Sequence, residues 1–423
     1  MKVKRYRSIY TKRRRRPGPF AVIVMIIGAL LLVFVGWSIA EPIQKLVTGQ
    51  FRPAQKVSSS AAASSRAASS SKNAASSSKS SSQAQSQTAS VKAIYFGSSY
   101  LSDTGSLSSA LSAAKSAGLN EAIVELKDDT GKVYFNSQTA QSAGLLGSNV
   151  PDAASAASRI SASGMKPAAE ITCFEDNLAA RAMRAAAIKY TGNHSYIWLA
   201  NGSDAWLNPY SDAAVQYIAG LAKDAVSMGY KTIYLRGVGF PTIGNPTKNA
   251  WYGDTATTKE QALQSFVAAV EQAVKGAGGT VTVELPGDAS VGQADALSGL
   301  DQSLYAYGSD AASPILCPSL FGKSVTIGSS AISKPDQTPG DTVAAAAQYI
   351  AQQAGQDHLA KTVPFIQAFT STTLGSAYSK TYTADDVSAQ ITALKNAGIS
   401  SFVLYSPKTS YDASLIAAAS SSK

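Results

Sequence analysis

Histidine and cysteine are scarce in this chain of 423 residues, with two of each. His194 and His358 stand in different contexts, so no histidine-built metal centre is expected. No Gly-x-Ser-x-Gly run occurs, which removes the nucleophile elbow of serine hydrolases. No glycine-rich phosphate loop follows the first strand-like run, which argues against a doubly wound open sheet. The sequence therefore calls for neither metal nor cofactor. Cys173 and Cys317 fall in separate strand-like runs. A location outside the cell would permit a disulfide between them. The reading adopted is two buried small apolar residues.

Acidic residues are nearly absent from one region. Of 37 basic and 27 acidic residues, 15 basic and one acidic, Glu41, lie in 1–90, which leaves 22 and 26 for the rest. The first part thus carries a net +14 and the remainder −4. The basic excess is a tail and a linker, so it is no argument for nucleic-acid binding.

Residues 1–19 form a basic tail, "MKVKRYRSIYTKRRRR" and its continuation. Residues 20–40, "FAVIVMIIGALLLVFVGWSIA", hold no charge. At about 1.5 Å per residue they would span roughly 30 Å of helix, one bilayer core. The basic cluster places the N-terminus in the cytoplasm and the rest of the chain outside. The expectation is a single-pass signal anchor in the cell membrane, with the lipid bilayer as partner of this helix. The competing reading is a cleaved signal peptide, because Ser38-Ile39-Ala40 resembles a small-x-small cleavage site. The apolar stretch exceeds the usual signal-peptide core of roughly 7–15 residues, which favours the anchor. Residues 41–90 are mostly Ser and Ala and cannot bury a core, so they read as a disordered tether.

Residues 91–423 read as one domain. Eight short apolar runs alternate with helical stretches: "VKAIYFG", "EAIVELKDD", "KPAAEITCF", "KTIYLRGVGF", "TVTVELPGD", "SPILCPSLF", "KTVPFIQAF" and "SSFVLYSP". Such alternation predicts parallel strand–helix–strand units. Eight units close into an α/β fold of the (β/α)8 TIM-barrel type. A doubly wound open sheet is the alternative, and the strand count and missing phosphate loop argue against it.

In a barrel the site lies at the C-terminal strand ends. Those ends offer Glu125, Lys127, Asp128 and Asp129 after strand two, and Glu170 on strand three. Arg236 follows on strand four, Glu284 on strand five, Gln367 on strand seven and Tyr405 on strand eight. The long loop after strand three adds Trp206, Asn208 and Tyr210. Carboxylates with exposed aromatics suit a sugar-processing site, since one carboxyl protonates the leaving oxygen and another traps or assists the oxocarbenium centre. Each residue also has a structural reading. Glu284 is placed to pair with Arg236 on the neighbouring strand, Glu125 to pair with Lys127 or Arg236, and Asp128-Asp129-Thr130-Gly131 to form a turn.

The runs "AIVELKDDTGKVYF", "WLNPY", "GYKTIYLRGVGFP", "ILCPSLFG" and "FIQAFT", in this order, resemble the bacterial putative glycosyl hydrolase domain family, from about Val91 to Tyr411. The resemblance implies a TIM barrel acting on or binding polysaccharide or peptidoglycan. It makes Glu284 the general acid, with Glu125, Glu170 or Asp128 as partner. Lys127, Asp129, Glu170, Trp206, Asn208, Tyr210, Arg236, Gln367 and Tyr405 would contact substrate.

The family's strand four reads approximately Phe-Asp-Tyr-Val-Arg-Phe-Pro. Here Arg236 stands at the position of its Asp and Gly239 at that of its Arg. Arg236 stays protonated and cannot serve as base or nucleophile. Asn208 replaces a further carboxylate, and Glu170 replaces an Arg. Two readings follow: a hydrolase with a rebuilt site, or a pseudoenzyme that keeps glycan binding. An Arg236–Glu284 ion pair would favour the second.

Overall fold

The structure, a computed structural model, describes residues 90–300, 309–407 and 411–422. The anchor segment and most of the proposed tether lie outside these residues. Among the described residues no helix is long and apolar enough to cross a membrane.

Eight parallel strands form one sheet: β1 (Lys92–Phe96), β2 (Glu121–Lys127), β3 (Lys166–Thr172), β4 (Thr232–Arg236), β5 (Thr280–Leu285), β6 (Ala311–Pro314), β7 (Phe365–Gln367) and β8 (Phe402–Tyr405). Their order is β6-β5-β4-β3-β2-β1-β8-β7. The two end strands meet only through isolated parallel bridges, Ala312 with Thr362 and Ile315 with Phe365, so the barrel is nearly closed. Pro314 and Pro364 fall at this seam, and each removes a backbone donor that a full ladder would need. This also shortens β6. The run expected to continue through Phe321 instead ends at Pro314, and Pro318–Phe321 turns as a 3-10 helix.

Side chains alternate across each strand. On β4, Ile233 and Leu235 join the outer core, while Thr232, Tyr234 and Arg236 follow the opposite parity. The barrel interior is thus layered. At the base, Glu121 accepts hydrogen bonds from Tyr234 Oη (2.8 Å) and Thr232 Oγ1 (3.3 Å). Above lie Ala93, Ile123, Ala168, Val363 and Val403, all buried. At the top lie Tyr95, Phe365 and Tyr405.

The outer helices pack apolar stripes onto the sheet. Helix α1 (Asp212–Ser227) buries Ala214, Tyr217, Ile218, Leu221, Ala222 and Ala225, a period near 3.6. Helix α2 (Lys259–Gly276) starts at a capping box of Thr258 and Gln261. The loop after β3 holds more structure than the sequence suggested. Its residues Lys189–Tyr190 and Asn193–Ile197 join Ala250–Trp251 in a three-stranded antiparallel sheet.

Candidate functional site

The end of β4 carries the centre of the site. Arg236 donates from Nε to Glu284 Oε2 at 2.9 Å, and its Nη2 lies 2.7 Å from Glu170 Oε2. The strands dictate this meeting. Thr172 pairs with Arg236 and Glu170 with Tyr234, so Glu170 and Arg236 rise from neighbouring strands at adjacent levels. Val283 pairs with Leu235, which sets Glu284 beside Arg236 on the other side. Both carboxyls are essentially inaccessible, whereas the Arg236 side chain keeps 25% exposure. Arg236 is thus the most accessible member of the trio.

Aromatic rings close round the cation. The Arg236 Cζ lies 5.5 Å from the Tyr95 ring centroid, 5.6 Å from that of Tyr405 and 6.0 Å from that of Phe365. These are cation–π distances, and rings also exclude water from the pair. Tyr95 Oη donates to Glu170 Oε1 at 3.1 Å.

Two carboxyls facing one guanidinium leave one negative charge too many for a dry interior. Burial pushes the Glu170 carboxyl well above its usual value; Arg236 opposes this, and the charge and hydrogen bonding of Glu284 add to it. Glu170 Oε2 and Glu284 Oε1 make no hydrogen bond to an N–H or O–H. Protonation of Glu170 toward Glu284 would satisfy both oxygens and remove that charge. Burial alone would lower the Arg236 pKa, but Glu170 and Glu284 outweigh it and raise it. Burial likewise pushes Tyr405 up to about 12, with Arg236 opposing.

The other expected residues lie in different settings. Glu125 is half-buried, pairs in register with Glu170, and accepts from Ser98 N at 3.0 Å. Asp128 organises its turn: Oδ1 accepts from Thr130 N, Thr130 Oγ1 and Lys132 N at 2.7–3.0 Å, and Oδ2 accepts from Tyr134 Oη at 2.7 Å. Asp129 is exposed on that turn. Lys127 is fully buried, 3.0 Å from Asp176 Oδ2 and donating to Thr172 O at 2.6 Å. A register shift between Glu125 and Lys127 takes it off the inward series. Gly131 completes the clasp: its φ is +93°, and a Cβ there would lie 1.9 Å from Asp176 Oδ1. Asn208 donates to Tyr252 O at 2.9 Å, and Tyr210 packs against Phe240 and Tyr252. Gln367 is buried, donating to Asp336 Oδ1 and Phe369 O and accepting from Ser319 N. Cys173 and Cys317 are free thiols and buried.

Trp206 lies elsewhere on the mouth. It lines a cavity of about 340 Å³ with Gly237, Gly239, Phe240, Pro286 and Asp288, beyond the ends of β4 and β5. That volume lies in the range of small-ligand pockets, roughly 300–1,000 Å³. A Cβ at Gly239 would meet Ser298 O at 3.5 Å and Leu300 Cγ at 3.9 Å, ordinary contacts, so a small side chain fits there without a clash. The Trp206 indole N–H is buried without a hydrogen-bond partner. Tyr95 and Phe365 are the site residues that the sequence reading missed. Their inward parity, shared with Tyr405 on β8, was the available signal.

Several solved structures are similar to this chain. The glycoside hydrolase domain of PgaB (BpsB) from Bordetella bronchiseptica matches with a TM-score of 0.51 at 13% identity, over 75% of this chain and 94% of that one. A chitinase from Chromobacterium violaceum matches with a TM-score of 0.44 at 12% identity, over 79% and 99% of the two chains. The spore cortex-lytic enzyme SleL from Bacillus megaterium matches with a TM-score of 0.46 at 9% identity, over 78% and 74%. No curated protein matches the sequence. The sequence profile described as "Putative glycosyl hydrolase domain" matches residues 93–411, nearly the whole barrel, and the chain belongs to that family.

Proposed function

We propose that this barrel binds a polysaccharide or peptidoglycan of the cell envelope without hydrolysing it, held at the outer face of the membrane by residues 20–40. One observation carries the reading. The two buried carboxyls are bridged by Arg236, whose side chain is the more exposed partner in both ion pairs. A glycosidase places an acid and a second carboxylate on either side of a scissile bond, about 5–5.5 Å apart for retention and about 6.5–9.5 Å apart for inversion. Here both point at one guanidinium. Family membership supports the glycan, and so does the aromatic lining of the mouth by Trp206 and Phe240.

The purified chain is expected to bind at least one polysaccharide or peptidoglycan and to release no reducing ends. Arg236→Asp restores the carboxylate that the family resemblance places there. Hydrolysis by this variant and not by the parent would mark a disarmed hydrolase. Product release by the parent would refute the binding-only reading.

A hydrolase is the second reading, and the raised Glu170 carboxyl favours it, because a general acid must be protonated at working pH. On that reading the parent releases product and Glu170→Gln abolishes it.

A further inference from the structure

The end of the barrel away from the site is basic. Each outer helix returns antiparallel to the strand before it, so helix C-termini gather where the strands begin. At that end stand Lys115, Arg159 and Lys395, in the last turns of the helices Thr104–Ser116, Ala153–Ala162 and Ala384–Asn396. Lys166 opens β3, Lys231 precedes β4, and Lys361 lies beside the start of β6, where its carbonyl accepts from Ala312 N at 3.0 Å. All six side chains are exposed. The acidic side chains described there are engaged. Lys166 Nζ lies 3.5 Å from Glu121, Lys275 Nζ lies 3.2 Å from both Glu271 and Asp310, and Asp224 accepts from Ser137 Oγ and Thr139 N. Arg159, Lys231 and Lys361 enter no ion pair among the described residues.

This face stands against the charge of its domain, since the 22 basic and 26 acidic residues beyond position 90 give a net −4. The helix macrodipole explains a cation in a last turn. It does not call for Lys166, Lys231 and Lys361, which lie on strand starts.

Between the helices Thr104–Ser116 and Ala153–Ala162 runs a groove of about 460 Å³. Lys115 and Arg159 line it with Ser108, Ser112, Ser116 and Ser163, and no carboxylate does. Lys115 Nζ gives one N–H to Gly164 O at 2.8 Å, which holds the ammonium at the groove and leaves two donors. A Cβ on Gly164, whose φ is +75°, would lie 3.2 Å from that nitrogen, so glycine keeps the approach open. Two cations with hydroxyls and no competing acid suit a phosphate group.

The rest of the face indicates which phosphate. Lys231 and Lys361 stand on other strands, so the basic surface suits an array of phosphates rather than one free ion. The polypeptide also enters the barrel at this end, because Lys92 opens β1. Residues 41–90 lead from there to 20–40, the proposed anchor. A barrel held in this way meets the lipid surface at high effective concentration, where weak contacts suffice. Basic clusters are drawn to anionic lipid over about a Debye length, roughly 8 Å at physiological salt.

We infer that the strand-start end of the barrel, including the Lys115–Arg159 groove, docks on the phosphates of anionic lipid headgroups and turns the mouth away from the membrane. The inference rests on the reading that holds the barrel at a membrane, and it adds the lipid chemistry and the orientation.

The test uses the full chain in vesicles of phosphatidylcholine alone and of phosphatidylcholine with one-third phosphatidylglycerol. Cys173 and Cys317 are buried, so a fluorophore attaches to one introduced thiol, Asn396→Cys at the strand-start end or Ala256→Cys at the mouth, both exposed positions. A quencher carried on lipid headgroups reports which end lies near the bilayer. With phosphatidylglycerol, quenching at 396 is expected to exceed quenching at 256 at least threefold, and with phosphatidylcholine alone the ratio should fall at least twofold. Arg159→Glu combined with Lys231→Glu and Lys361→Glu should bring the ratio to about one, as should high salt. The milder set Arg159→Gln, Lys231→Gln and Lys361→Gln should lower it at least twofold, which keeps the test valid if the charge reversals do not fold. A ratio near one with phosphatidylglycerol, or one that survives these variants, overturns the docking. Collapse of the ratio in millimolar inorganic phosphate at constant ionic strength assigns the groove to a soluble phosphate and overturns the lipid. Anchoring is scored apart, by flotation with phosphatidylcholine vesicles after a high-salt wash. A chain that fails to float refutes the anchor. Docking is then decided by flotation with phosphatidylglycerol vesicles at low salt, which must drop at least fivefold in the substituted chain.

Discussion

Glu170 and Glu284 share one guanidinium, and their replacements should have unequal consequences. Glu170 is read as carrying the proton, so Glu170→Gln keeps charge and shape and should change stability by less than about 1 kcal/mol at neutral pH. Glu284→Gln removes one of the two carboxylates at Arg236 and leaves the cation to Glu170, the carboxyl read as neutral. Removing one member of a buried pair costs roughly 3–5 kcal/mol, and the partial exposure of Arg236 sets the expectation near the lower end. Urea titration of the two variants decides; equal losses would refute the placement of the proton. The pH dependence follows the same assignment. The Glu170 carboxyl is raised in the folded protein, so the folded state holds its proton more tightly than the unfolded chain does. Its contribution is full below the unfolded value, about pH 4, and declines as pH rises through the folded value. Glu170→Gln should flatten that decline in denaturation midpoints measured from pH 4 to pH 8. At this scale the sequence revealed half of the centre. Strand adjacency and matching levels brought Arg236 to Glu284. Glu170 was named as a substrate contact and a possible partner acid, not as a member of the ion pair, because its alternation with Arg236 emerges only once the β3–β4 register is known.

The elements were more legible than the loops. Eight apolar runs gave eight strands, since alternation of short strands and helices is written directly in hydrophobic period. The seam between β6 and β7 was less visible, because two prolines shorten the pairing there without changing the apolar pattern. The "KDDTG" run reads in two ways from sequence, as acids for chemistry or as a turn. The structure gives Asp128 and Gly131 turn and packing contacts, and it gives Lys127 a buried ion pair. Burial raises the Asp176 carboxyl, and Lys127 opposes that rise. Lys127→Met should therefore leave Asp176 uncompensated and cost about 3–5 kcal/mol. Glycan affinity at the mouth should stay within twofold of the parent under conditions where the variant is folded. A large loss of affinity with unchanged stability would return Lys127 to the ligand site, as the resemblance implied.

The whole chain divides its charge between two regions, and this bears on where the barrel works. The first ninety residues carry +14 and the rest −4, so the basic residues are concentrated ahead of and beyond the uncharged 20–40 segment. A cationic start before such a segment directs the remainder outward. We propose that the chain stays anchored, and the rival outcome has a distinct chemical signature. Cleavage after Ala40 would give a mature chain beginning at Glu41, found in the medium or wall fraction. Retention would keep the N-terminal segment and leave the barrel in the membrane pellet, resistant to high salt and extracted by detergent. N-terminal sequencing of the barrel-containing species separates the two. Protease added to intact cells adds the orientation. Cleavage in the Ser/Ala-rich stretch at 52–90 should release the folded barrel, because the compact domain offers few accessible sites and the low-complexity stretch many. A barrel fully protected in intact cells, yet cut after lysis, would place it on the cytoplasmic side. It would then separate this protein from any envelope glycan, whatever its mouth can bind in solution.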